Sequence, residues 1–211
     1  MPPAGEIASE YIIDFDSRQF YSFPQNKIDL NYMDLNNKFE SGLSMDIEIG
    51  FGTGDYLLKF AETNPRQNIL GIEIVKKMVW LAAKRAHQRG LKNLRLVNGD
   101  ASLFIKHRID NNSINGVHVY FPDPWLKKRH HKRRLISTDF LNELCRVIRT
   151  DGFVDIATDN EEYFTHILDA LSRVKGLNEE KHAEPLLTPT RYQTKWEKQG
   201  RSIMRLFLKK E

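Results

Sequence analysis

From Met45 onward the apolar positions alternate between short continuous runs and stripes at helical spacing. Met45 to Gly50 is a short apolar run that carries Asp46 and Glu48 and meets a cluster of glycines. Tyr56, Leu57, Phe60 and Ala61 then recur with the period of a helix, so the pattern predicts strand, loop, helix. Asn68 to Ile74 reads as a second buried strand, and the following helix sets Val75, Met78, Val79, Ala82 and Ala86 on one face, with Gly90 as its stop. Asn93 to Asn98 and Ile114 to Phe121 supply two more strands, the latter running into Pro122-Asp123-Pro124-Trp125. A helix over Leu135 to Arg149 groups Leu141, Leu144, Cys145 and Ile148, and Asp151-Gly152 turns the chain into a strand over Phe153 to Thr158. Glu161 to Val174 is a helix with Tyr163, Phe164, Ile167, Leu168 and Leu171 inward, and Ser202 to Lys209 is a last strand. Strands alternating with helices make βαβ units, hence an α/β fold with a mainly parallel sheet. Residues 1–44 show no steady period and read as an N-terminal arm ahead of a domain over 45–211.

Composition narrows the classes without changing that picture. With 40% hydrophobic and 28% charged residues, the 211-residue chain is neither collagen-like, mucin-like nor mostly disordered. A lone cysteine, Cys145, rules out a disulfide framework, and its place on an apolar helix face predicts a core residue. No apolar run approaches the ~20 residues that a membrane helix needs. The first residues carry Glu6, Glu10, Asp14 and Asp16 instead of a secretory pattern, so a cytoplasmic protein is expected. Seven histidines without ligand spacing give no reason to expect a metal.

The net charge of +4 is small but unevenly placed. All eight residues from Lys127 to Arg134 are Lys, Arg or His, a block that attracts a nucleic-acid backbone. On composition alone a solvated loop or a nuclear localisation signal fits the block too.

Candidate chemistry gathers at the strand ends. The first loop reads Glu48-Ile49-Gly50-Phe51-Gly52-Thr53-Gly54-Asp55. A nicotinamide fingerprint needs its third glycine where Asp55 stands, which disfavours a dinucleotide oxidoreductase. The shortened G-x-G-x-G after an acid is the pattern of S-adenosylmethionine (SAM) methyltransferases. Glu73 ends the second strand, where an acid accepts from ribose hydroxyls, and Asp100 follows the third, where it accepts from an adenine amino group. Each has a structural alternative: a glycine turn that serves packing, an exposed strand-edge acid at Glu73, and an N-cap at Asp100. In Phe121 to Leu135, two prolines stiffen the turn around Asp123 and Trp125 offers a face for a base, or a plug for the core. Asp123-Pro124-Trp125 also approaches the turn of amino-group methylases of nucleic acids, and a non-catalytic RNA-binding module remains a rival.

The stretch Phe121 to Arg134, with the glycine loop, resembles the tRNA (guanine-46-N7) methyltransferase family and its F-P-D-P-W-x-K-x-R-H-x-K-R-R signature. Ala157-Thr158-Asp159-Asn160 resembles that family's T-D motif, and Thr194-Lys195-Trp196-Glu197 with Gly200 its T-K-F-E-x-x-G segment, Trp196 replacing the usual phenylalanine. The likeness runs from about Asp46 to Gly200, and residues 1–44 carry no arm motif that matches. The resemblance implies a Rossmann-like class I SAM methyltransferase with about seven strands and helices on both faces. It implies SAM contacts by Glu48, Glu73, Asp100 and Asp123 around Gly50, Gly52 and Gly54, catalysis by Asp123, and tRNA contacts by Lys127, Asp159, Thr194, Lys195, Trp196 and Glu197. The pairs Asp159 with Glu162 and Thr194 with Glu197 also fit capping boxes, and both monomer and homodimer stay open.

Overall fold

The computed structural model describes residues 9–13, 15, 39, 42–181 and 202–211. The chain divides into two compact units, Met1–Ile109 and Asp110–Glu211. Among the described residues there are eight strands and five α-helices.

The first unit holds β1 (Ile12–Ile13), β2 (Met45–Ile49), α1 (Asp55–Thr63), β3 (Asn68–Glu73), α2 (Lys76–Gln88), β4 (Leu94–Asn98) and α3 (Ala101–Arg108). Its strands lie in the order β1-β4-β3-β2 and every pair is parallel. β3 is buried along its whole length, as a strand covered on both faces must be, which is why its sequence reads as an apolar run. α1 turns Tyr56, Leu57, Leu58, Phe60 and Ala61 inward, and α2 turns Val79, Ala82, Ala83 and Ala86. Gly90, at φ +63 just past α2, takes the left-handed stop the sequence assigned to it.

Part of the arm belongs to this unit. Tyr11, Ile13 and Phe15 are buried, Ile12 and Ile13 pair with Leu96 and Val97, and the Phe15 ring meets Phe104 edge-on at 5.0 Å. A Cβ on Gly99 would stand 2.5 Å from the Phe15 ring, so the bare backbone there is what admits the aromatic.

The second unit holds β5 (Ile114–Tyr120), a 3₁₀ helix (Lys128–Arg133), α4 (Thr138–Val147), β6 (Ile148–Thr158), α5 (Glu161–Leu171), β7 (Leu177–Glu180) and β8 (Met204–Lys210), with strand order β5-β6-β8-β7. β5 and β6 are parallel, whereas β6–β8 and β8–β7 are antiparallel. The turn expected at Asp151-Gly152 is an irregularity inside β6: Asp151 has φ 63, and the register jumps from Ile114↔Ile148 to Gly116↔Phe153. A buried polar chain ties three strands together. Arg205 Nε donates to Asp155 Oδ1 at 2.7 Å, Tyr120 Oη donates to Asp155 Oδ2 at 2.8 Å, and His118 Nδ1 lies 3.0 Å from Tyr120 Oη.

Three helix faces differ from expectation. α2 begins at Lys76, and Val75, expected on its apolar face, is exposed at its N-cap. α4 buries Phe140, Leu141, Leu144 and Val147, while Cys145 sits half-exposed with Sγ 3.6 Å from the Lys175 carbonyl, so it is not a core residue. α5 buries Tyr163, Ile167 and Ala170, and Leu168 faces outward.

Candidate active site

In the first unit the glycine loop leaves β2 at its carboxyl end and opens α1. Gly50, Gly52 and Gly54 have φ of 70, 54 and 76, a region that costs a side chain strain and costs glycine little. At Gly54 space adds to conformation, because a Cβ would stand 3.3 Å from the Ala82 Cβ of α2. The loop is tied from outside: Gly50 N donates to Ile72 O at 2.8 Å, and Arg85 of α2 donates to the Thr53 carbonyl and, at 2.8 Å, to Asp55 Oδ1. Thr53 Oγ1 donates to Asp55 Oδ2 at 2.7 Å, so both Asp55 oxygens brace the loop where a dinucleotide fold would have a glycine.

Three acids stand at the strand ends of this unit, each in a different state. Glu48 is buried, 3% exposed. A backbone hydrogen bond from Leu57, in the first turn of α1, reaches its carboxyl, while Oε2 is buried without a hydrogen-bond partner. Burial first, then the charges of Asp55 and Glu73, push the Glu48 carboxyl up to about 8 from 4.5. Such an oxygen suits a cationic donor, which satisfies the lone pairs and favours the ionised form.

Glu73 is also buried, which removes the reading of it as an exposed strand-edge acid. Its Oε2 accepts from Gly52 N at 3.0 Å and its Oε1 from Val75 N at 2.8 Å, locking the glycine loop to the β3–α2 turn. A carboxylate has about four acceptor positions, so two are left for a ligand. Asp100 does cap a helix: its Oδ1 accepts from Leu103 N at 3.0 Å at the start of α3.

In the second unit, Pro122-Asp123-Pro124-Trp125 follows the carboxyl end of β5. Phe121 and Trp125, on either side of the Pro-Asp-Pro core, have φ of 53 and 48, a strained setting for aromatic residues. Asp123 is exposed. Trp125 is half-buried and already faced: the Arg133 guanidinium lies 5.0 Å over its ring and His130 meets it edge-on at 5.8 Å. It is neither a core plug nor an open stacking platform.

The basic run is split. Lys127, Lys128, Arg129, Lys132 and Arg133 are exposed, but Arg134 is buried. Its Nε donates to the Pro124 carbonyl at 2.8 Å and its Nη2 to Glu162 Oε1 at 3.0 Å, and its guanidinium lies 5.1 Å over the Tyr163 ring. The hydrogen bond from Arg134 holds the Glu162 carboxyl below its usual range, and burial pushes the Tyr163 hydroxyl up to about 12. Asp159 does not hold the N-cap position that a capping box with Glu162 requires. The N-cap of α5 is Asn160, whose Oδ1 accepts from Tyr163 N at 2.8 Å, and Asp159 stands half-buried one residue before it.

Glu48, Gly50, Gly52, Gly54, Glu73 and Asp100 thus share the strand ends of the first unit, and Asp123, Lys127 and Asp159 follow β5 and β6 in the second. Thr194, Lys195, Trp196 and Glu197 lie outside the described residues. Among the described residues, no group of His, Cys, Asp and Glu could hold a metal ion, and no helix is long and apolar enough to cross a membrane. Sequence reading missed Arg85 and the inward role of Arg134. The signal for Arg85 was available: a basic residue stands three positions after Ala82, beside the apolar stripe of α2.

Residues 44–206 match the family described as putative methyltransferase. A tRNA (guanine-N(7)-)-methyltransferase of Legionella pneumophila (strain Paris) is 43% identical over 159 residues, 74% of this chain and 67% of that protein. One from Rubrobacter xylanophilus is 31% identical over 213 residues, 98% of this chain and 93% of that protein. Among solved structures, the 30S ribosomal A1408 methyltransferase from an uncultured bacterium superposes with a TM-score of 0.58 at 14% identity, covering 88% of this chain and 95% of that one. TrmN from Thermus thermophilus gives 0.58 at 18% identity, over 80% of this chain and 44% of its own. At such identities the likeness is one of fold, the Rossmann-like α/β fold of class I SAM methyltransferases. With a family match over most of its length and relatives of that identity, the chain belongs to the tRNA (guanine-N7) methyltransferase family.

Proposed function

We propose that this chain transfers a methyl group from SAM to N7 of guanine in tRNA, and that the target is guanine 46 of the variable loop. Family membership supports the tRNA guanine-N7 activity, and position 46 is our finer reading. The observation that carries the donor half is the buried Glu48 Oε2, without a hydrogen-bond partner, on the strand that runs into three left-handed glycines. SAM offers the complementary groups: an ammonium for Glu48, ribose hydroxyls for the remaining lone pairs of Glu73, and an adenine amino group for Asp100. When bound, SAM supplies an electrophilic methyl group.

Guanine N7 already has a free lone pair, so its methylation removes no proton in the attacking step and needs no strong base. Alignment supplies most of the acceleration, with effective molarities of roughly 10⁵ M within reach. Asp123 accepts hydrogen bonds from the N1 and N2 donors of guanine and stabilises the positive charge that develops on the ring. Exposed Lys127, Lys128, Arg129 and Lys132 neutralise phosphates, while Asp159 and the segment Thr194 to Glu197 contact the tRNA. Because the base sits in a folded loop, tRNA shape contributes much of the selectivity. No metal enters this chemistry.

Incubating the protein with labelled SAM and unmodified tRNA, then digesting to nucleosides, tests the reading. Label in N7-methylguanosine is expected. Label in N6-methyladenosine, or tRNA binding with no transfer, would replace it with the amino-group methylase or the RNA-binding module.

A further inference from the structure

The last residue of the basic run is spent inside the protein. The Arg134 side chain is 3% exposed, and the groups it meets are the Pro124 carbonyl, Glu162 Oε1, His131 Nε2 at 3.1 Å and the Tyr163 ring. An arginine that reads phosphate leaves its head in solvent, as the exposed side chains of Lys128 and Arg129 do.

What it holds is the carbonyl between Asp123 and Trp125. The turn is strained at both ends, with positive φ at Phe121 and Trp125, and its two prolines bring no N–H with which to tie it. Strained backbone of this kind persists only where its surroundings fix it. Phe121 N donates to Ala157 O at 2.7 Å and fixes one end. At the other, the Arg134 bond to Pro124 works together with Arg133 and His130 against the Trp125 ring. The fork of Arg134 is fixed in turn by Glu162, on α5, and by the Tyr163 ring, whose Oη accepts from Ile136 N at 3.1 Å.

We propose that Arg134 is a positioning residue that holds the Pro122-Asp123-Pro124-Trp125 turn, and so the direction of the Asp123 carboxylate, and does not bind tRNA phosphate. The catalytic part of this inference rests on the reading of Asp123 given above.

Arg134→Lys keeps the charge but loses the planar fork, and a single ammonium does not reproduce both bonds. Glu162→Gln weakens the far end of the fork: it removes the charge of an exposed carboxylate and leaves an amide oxygen that still accepts from Arg134. For Arg134→Lys, kcat should fall at least about tenfold, the effect of one lost charge-assisted hydrogen bond. KM for tRNA and the salt dependence of tRNA binding should hold, and the indole N–H resonance of Trp125 should move. Glu162→Gln should show the same pattern at smaller amplitude. Arg129→Ala, the phosphate reference, should lower the log-log salt slope by about 0.9. The proposal is overturned if Arg134→Lys lowers that slope by about 0.9 with kcat held, or if the Trp125 resonance stays put in both variants. Should Arg134→Lys not fold, an unmoved kcat and Trp125 resonance in Glu162→Gln overturns it. If the wild type methylates no tRNA, the reading of Asp123 fails while the Trp125 resonance still decides what Arg134 holds.

Discussion

Replacing Glu48 by Gln removes the proton on which the glycine-loop site turns while keeping the side chain's shape and an oxygen for the Leu57 amide. Burial, and then the neighbouring Asp55 and Glu73 charges, push this carboxyl up to about 8 from 4.5. An acid raised in the folded state keeps its proton there after the unfolded chain has lost it. Its contribution to stability is therefore complete below about 4.5 and is lost as pH climbs through about 8. At about 1.4 kcal/mol per pH unit, the interval from 4.5 to about 8 is worth on the order of 5 kcal/mol. Urea unfolding of both ligand-free proteins at about pH 5, 7 and 9 reads the difference. Wild type should lose stability relative to Glu48→Gln by several kcal/mol across the series. The same variant should bind SAM at least about tenfold more weakly, because the amide offers no charge to the ammonium. Parallel stability curves would overturn this: Glu48 would then carry its charge in the folded protein and have a partner for it.

Three further outcomes follow from the geometry. Gly54→Ala, with φ +76 and a Cβ 3.3 Å from Ala82, should cost about 1–2 kcal/mol in urea unfolding, and an unchanged midpoint would mean the loop relaxes freely. Arg205→Met strands the buried Asp155 and should destabilise by about 3–5 kcal/mol; the double variant with Asp155→Leu should recover much of that loss, and additive losses would exclude a coupled pair. Asp123→Asn should lower the single-turnover methylation rate far more than calorimetric SAM affinity, and equal losses in both would contradict its role toward guanine.

What the sequence could reveal depended on whether a feature is local. β2, α1, β3 and α2 were legible because strands buried on both faces read as apolar runs and helices packed on them read as stripes. β1 is two residues long, and β7, Leu-Asn-Glu-Glu, has one apolar position, so neither carries a period to detect. α3 buries only Phe104 and Ile105, and Asp100 was its one visible signal. α4 was read three residues too long at its start, where the cap Ser137 was not picked out, and two too long at its end, where Ile148 fits the helical stripe and yet begins β6. In the site, the acids were found because they sit beside their strands in sequence. Arg134 was misread because its partners, Pro124 and Glu162, lie 10 and 28 residues away, and composition alone sees a positive charge.

In the proposed reaction, methyl transfer is directed to one ring nitrogen of one tRNA guanine. Single-turnover methylation of tRNA carrying guanine or 7-deazaguanine at the variable-loop position tests it most directly, because the analogue puts carbon where N7 stood and leaves N1 and N2 intact. The first tRNA should be fully labelled and the second not at all; equal labelling of both would mean that this N7 is not the methyl acceptor.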